Sequence, residues 1–187
     1  YYEDAEPLYK KVLAMREKAL GEDHPDVAEA LYEMGKLYYE KDDWEKAESL
    51  MSRALKIREK ALGADHPDVA IVMASIGRIY MVNKKLDKAE QLLKQALDIC
   101  EKKLGKEDPR LASCLHFYGM FYYRKGDHKK ARELYDRALA IREKALGPDH
   151  SEVATTINNI GVIYLDACEY DKAEELLKKS LKIREKA

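Results

Sequence analysis

The string REKAL stands at residues 16–20, 58–62 and 142–146, always 42 residues or a multiple of 42 apart. A variant, CEKKL, fills the missing place at 100–104, and REKA follows at 184–187. The same offset joins Gly21, Gly63, Gly105 and Gly147, then Gly35, Gly77, Gly119 and Gly161, then Tyr38, Tyr80, Tyr122 and Tyr164. Ala5, Ala47, Ala89, Ala131 and Ala173 keep the same phase, and no insertion breaks it. A fixed period of this length means one supersecondary unit used repeatedly. Such a unit is too small to bury both its faces, so neighbours must stack to extend a continuous core.

Each unit reads as two helices. The first, for example 26–41, is opened by Pro25, whose missing N–H costs nothing at a helix start. Asp26 follows, where an acidic side chain suits the helix dipole. Val27, Leu31, Met34, Gly35 and Tyr38 recur at three- and four-residue steps and form one buried stripe. The second helix, for example 43–62, turns Trp44, Ala47, Leu50, Met51, Ala54, Leu55 and Ile57 inward, and Gly63 is expected to end it as a left-handed cap. Gly35 and Ala47, with their counterparts, let the two helices of a hairpin approach closely, and the tyrosines fill the space beside each glycine. Five prolines and nine glycines in 187 residues leave a composition that supports this helical reading. The pattern predicts a lone second helix at about 3–20, filling a partial repeat 1–21, with Pro7 in its first turn, and then four hairpins at 22–63, 64–105, 106–147 and 148–187, nine helices in a single array.

Charge and cysteine content narrow the function. With 34 basic and 35 acidic residues, the charges nearly cancel, which suits solvated helix faces and gives nucleic acid no electrostatic footprint. No apolar run approaches the roughly 18 residues of a membrane span, and the chain is not expected to open on a signal peptide. Cys100, Cys114 and Cys168 form no CxxC pair and are odd in number, so the expectation is a reducing, cytoplasmic setting. Tyr1 in place of an initiator methionine reads as an excerpt of a longer chain.

The run L-x-x-M/I/Y-G-x-x-Y, then Ala twelve residues past the glycine and Ala seven later, resembles the tetratricopeptide repeat. The longer period, with AEPLYKKVLAMREKALG at 5–21 and GADHPDVA at 63–70, is similar to the kinesin light chain subclass. The resemblance implies an all-α fold, a right-handed α-solenoid of antiparallel helical hairpins. It also implies a concave face lined by first helices, in which a peptide or partner segment lies. Carried onto this sequence, the groove is lined by Lys36, Tyr39, Arg78, Met81, His116, Phe117, Met120, Tyr123, Arg124, Asn158, Asn159 and Val162. The subclass carries an LNNL-type pair, in which Asn grips a bound peptide's backbone. Here only Asn158 and Asn159, in TINNIG, match it, while LYEMG, MASIG and LHFYG do not.

The residues offer little chemistry beyond binding. His24, His66 and His150 recur once per hairpin, with Asp108 in the fourth place, and read as helix caps rather than zinc ligands, which must all lie within about 2.3 Å of one ion. Cys114 and His116 lie two apart on one helix and so do not face each other, and no carboxylate completes a triad. There is no Gly-rich phosphate loop and no HExxH. No catalytic, metal or cofactor-binding residues are therefore assigned, and the chain is expected not to be an enzyme. The expected function is a protein- or peptide-binding scaffold and adaptor, selecting acidic segments with an aromatic or leucine anchor. The other readings are a self-associating repeat spacer and a sensor array attached to a signalling NTPase. Unpaired repeat ends, at Leu8, Val12 and Met15 or at Leu176, Leu177 and Leu181, are expected to expose apolar strips and to favour end-to-end association.

Overall fold

A computed structural model of the chain describes residues 2–186. Among these residues there are nine helices and no strand: α1 (Tyr2–Leu20), α2 (Pro25–Glu40), α3 (Trp44–Leu62), α4 (Pro67–Val82), α5 (Leu86–Lys103), α6 (Pro109–Arg124), α7 (His128–Leu146), α8 (Ser151–Asp166) and α9 (Tyr170–Lys186). They fall into two compact units, Tyr1–Ile99 and Cys100–Ala187. In the first unit α1 packs on α2, α2 on α3 and α3 on α4; in the second α6 packs on α7, α7 on α8 and α8 on α9.

The helix starts follow from short-range chemistry. Nδ1 of His24, His66 and His150 accepts the backbone N–H two residues on, at 3.2, 3.1 and 3.1 Å. Asp108 does the same for Arg110, at 2.8 Å. Each satisfies one of the donors that a helix start leaves orphaned. Asp43 and Asp127 cap α3 and α7 through the N–H groups of Lys46 and Lys130. The helix ends differ from expectation. Gly63 and Gly147 have positive φ (89° and 86°) but ψ near 150°, so they release an extended chain into the proline turn rather than forming a left-handed cap. Pro7 does not stand in the first turn of α1 but inside the helix. Repeat phase explains this, since Tyr2 is the counterpart of Trp44, where α3 begins.

Close approach within a hairpin rests on glycine. A Cβ added at Gly35 would stand 2.7 Å from Met51 Cγ, and one at Gly119 2.8 Å from Tyr135 Cε1. In the first unit, Val27, Leu31, Met34 and Tyr38 of α2 meet Met51, Ala54 and Ile57 of α3 and Val72, Ile76 and Ile79 of α4. In the second, Tyr135 packs with Ile160 and Ile163, and Val153 and Ile157 pack with Ile183. Tyr38 does more than fill space: its hydroxyl donates to Glu6 Oε1 of α1 at 2.8 Å. Lys10, Lys41 and Tyr38, in that order, draw the Glu6 carboxyl down to about 2.

Leu8, Val12 and Met15 of α1 are exposed, at 65%, 40% and 61%. Their counterparts Ala54 and Ile57 in α3 are buried. Leu181 of α9 is also exposed, whereas Leu176 and Leu177 are half-buried, because Gly161 of α8 sits against Leu177.

Candidate peptide-binding surface

Successive first helices within a unit touch through positions 43 apart. Tyr32 and Ser75 hydroxyls lie 3.1 Å apart between α2 and α4. His116 Nε2 lies 3.4 Å from the Asn159 amide between α6 and α8. The Tyr123 hydroxyl donates to Asp166 Oδ2 at 2.8 Å. This lateral row uses several of the side chains expected to face a ligand, so the surface left for binding is smaller than the sequence suggests.

In the first unit, Lys36 is held by Glu33 at 3.0 Å and lies over the Tyr32 ring. The Arg78 guanidinium stacks on Tyr39, 3.7 Å from the ring centre, with Glu40 at 3.6 Å. Tyr39 and Arg78 are half-buried and join α2 to α4. Met81 is only 1% exposed and belongs to the core, so it presents no surface to a ligand.

In the second unit His116 is likewise buried, at 4%. Its Nδ1 lies 3.1 Å from Arg142 Nη1, and its ring packs 5.3 Å from that of Tyr135. A guanidinium only donates, so Nδ1 accepts and the ring proton sits on Nε2; the Asn159 atom nearest to it is the amide nitrogen, also a donor, so the two are in contact without a hydrogen bond. Arg142 also donates to Thr156 Oγ1 at 2.7 Å and pairs with Glu152 at 3.1 Å. Burial pulls the guanidinium below its ordinary value, against the opposing effect of Glu152. Burial pushes the Tyr135 phenol up, while Asn159 acts the other way. Asn159 is thus tied into an internal network. Asn158, Val162, Phe117, Met120 and Tyr123 are half-buried, and Arg124 is exposed. Arg142, Thr156 and Tyr135 were not singled out from the sequence. The recurrence of Arg16, Arg58 and Arg142 in REKAL was the signal available, since a charged residue repeated on a packed helix needs a partner.

The sequence matches the tetratricopeptide repeat family over residues 2–60, 30–102 and 111–186. The chain belongs to the tetratricopeptide repeat family. Among solved structures, BtubC (BKLC) from P. vanneervenii is similar at 27% identity and a TM-score of 0.73, over 98% of this chain and 73% of that one. A putative kinesin light chain from Podosopora anserina with nearly identical TPR-like repeats is 26% identical, with a TM-score of 0.67, over 99% and 87%. A Rap protein complexed with competence and sporulation factor shares the fold at 22% identity and a TM-score of 0.83, over 97% of this chain and 49% of that one. No curated protein sequence matches the chain. The repeats are thus similar to those of a putative kinesin light chain, on a fold typical of protein-interaction scaffolds. Among the described residues no helix is long and apolar enough to cross a membrane.

Proposed function

We propose that this tetratricopeptide chain is a non-catalytic scaffold, acting in the cytoplasm, that binds a linear protein segment on its first helices. The reading treats residues 22–63, 64–105, 106–147 and 148–187 as four binding hairpins behind the partial repeat 1–21. The observation that carries it is the mixed face of the second unit. Half-buried Phe117, Met120 and Tyr123 stand on α6 with exposed Arg124, and half-buried Asn158 and Val162 stand on α8. An amide supplies both donor and acceptor for an extended backbone, methionine and aromatics adapt to an apolar anchor, and a cation selects carboxylates. The ligand class that fits is a short acidic segment with an aromatic or leucine anchor. The similarity to the repeats of a putative kinesin light chain supports an adaptor role.

The test uses Asn158, half-buried on α8, and Arg124, exposed on α6. A peptide array probed with the chain should enrich acidic segments carrying Phe, Trp or Leu. Asn158→Ala should weaken all of them alike, by about 1–3 kcal/mol for a lost backbone partner. Arg124→Ala should penalise acidic peptides selectively, and more at low salt. No enrichment, or equal losses for acidic and neutral peptides in both variants, would leave the spacer reading ahead.

A further inference from the structure

Positions 16, 58, 100 and 142 are equivalent under the repeat. At three of them an arginine Nη1 donates to the carbonyl oxygen ten residues on: Arg16 to Asp26 at 2.7 Å, Arg58 to Asp68 at 3.1 Å and Arg142 to Glu152 at 3.3 Å. This bond ties the second helix of one repeat to the start of the next repeat's first helix. Arg142 adds a side-chain partner fourteen residues on, Thr156 Oγ1, at 2.7 Å. The junction in the second unit between α5 and α6 departs from this pattern. Cys100 stands in the arginine's place and Cys114 in that of Thr156. Both cysteines are fully buried, their sulfurs lie 3.2 Å apart, and no disulfide joins them. Two thiols therefore face each other where the other repeats place a polar link.

We propose that Cys100 and Cys114 form a redox modification site, closed by peroxides or small disulfides into an intramolecular disulfide that ties the end of α5 to α6. With hydrogen peroxide, one sulfur attacks a peroxide oxygen, breaks the O–O bond and becomes a sulfenic acid as water leaves. The second sulfur then attacks the sulfenic sulfur, forms the S–S bond and releases a second water. Two thiols lose two electrons and two protons, and the peroxide takes up both. The geometry asks for a movement of only about 1 Å, from the present separation to a bond of about 2.05 Å.

The surroundings set the rate. The hydrogen bond with Cys100 and burial together push the Cys114 thiol far above its ordinary value, and only a thiolate attacks efficiently. Oxidation therefore waits on local opening of the junction. Once one sulfur is oxidised, its partner is already in place, which favours the disulfide over further oxidation. The exposed Cys168 has no such neighbour among the cysteines and reacts first and singly. The site does not depend on the peptide-binding reading, although α6 also carries Phe117, Met120 and Tyr123.

The test uses the full chain with Cys168→Ser, so that the two buried thiols alone are read. After incubation with hydrogen peroxide, thiols alkylated in denaturant should fall from two to none, and the intact mass should drop by two hydrogens. A digest should give one peptide joining Cys100 to Cys114, and the melting midpoint should rise by roughly 5 °C, reversibly with reductant. Cys100→Ser and Cys114→Ser, each in the same background, should show neither the joined peptide nor the rise. Two thiols still alkylatable after prolonged oxidation would overturn the proposal. So would oxidation that adds oxygen to each sulfur without joining them, or a midpoint that shifts equally in the single-serine variants.

Discussion

Arg142 is the residue on which most of the second unit's buried polarity converges. It is 4% exposed, with Nη1 shared among His116, Thr156 and the Glu152 carbonyl, and Nε buried without a partner. A guanidinium so placed is retained by its bonds rather than by its burial, which costs desolvation. Its stem also packs, since long charged side chains contribute apolar contact. Arg142→Ala removes both contributions and leaves His116 and Thr156 short of a donor, so stability should fall by about 2–4 kcal/mol. Arg142→Met keeps the stem and should recover roughly half of that. Urea unfolding followed by circular dichroism checks both. Equal losses in the two variants would mean that the polar network alone matters, and no loss in either would mean that the network contributes nothing net.

At the scale of the element, the hairpin turns carry strain that their sequences conceal. Asp42, Lys84, Gly126 and Cys168 occupy one repeat position, and all four have positive φ, at 58°, 58°, 83° and 59°. A side chain there crowds its own carbonyl, at roughly 1–2 kcal/mol, while glycine does not. Glycine is more flexible when unfolded, which offsets part of the gain. Lys84→Gly should therefore stabilise the chain by about 0.5–1 kcal/mol, seen as a higher urea midpoint, and a lower midpoint would contradict the strain. The period of 42 made the helices, their proline starts and their His and Asp caps legible, because each depends on neighbours in sequence. The turn conformation was hidden because Asp42, Lys84, Gly126 and Cys168 share no residue type, only a backbone state. The site was hidden for a different reason. Whether Met81, His116 or Asn159 meets solvent depends on which side chain arrives from the next repeat, and periodicity repeats the position but not its neighbour. Phe117 and Asn158 are half-buried, while Met81 and His116 are covered.

At the largest scale, near-cancelling charge is organised within each unit as a ladder of ion pairs. Lys60 meets Asp23 at 2.6 Å, Lys144 meets Glu107, and Lys186 meets Asp149 at 3.0 Å, each joining a second helix to the loop before its own hairpin. A parallel row joins Arg53 to Glu17 at 2.7 Å, Arg137 to Glu101 at 2.7 Å and Lys179 to Glu143 at 3.5 Å. Both rows follow the repeat, which invites the view that they hold the repeats together. Their setting argues otherwise, because these side chains are largely solvated. An exposed pair contributes about 0–1 kcal/mol, and its field is screened within about 3 Å at molar salt. Adhesion between repeats then rests on the apolar layer and on bonds such as Tyr38 to Glu6. Lys144→Ala should cost less than about 0.5 kcal/mol. Lys60→Ala, Lys144→Ala and Lys186→Ala combined should cost close to the sum of the three, since the pairs share no partner. Raising sodium chloride from low to molar concentration should move the urea midpoint of the parent by no more than the triple variant does. A salt effect as large as the loss expected for Arg142→Ala, or a triple variant far worse than its parts, would move the adhesion between repeats from the core to the ladder.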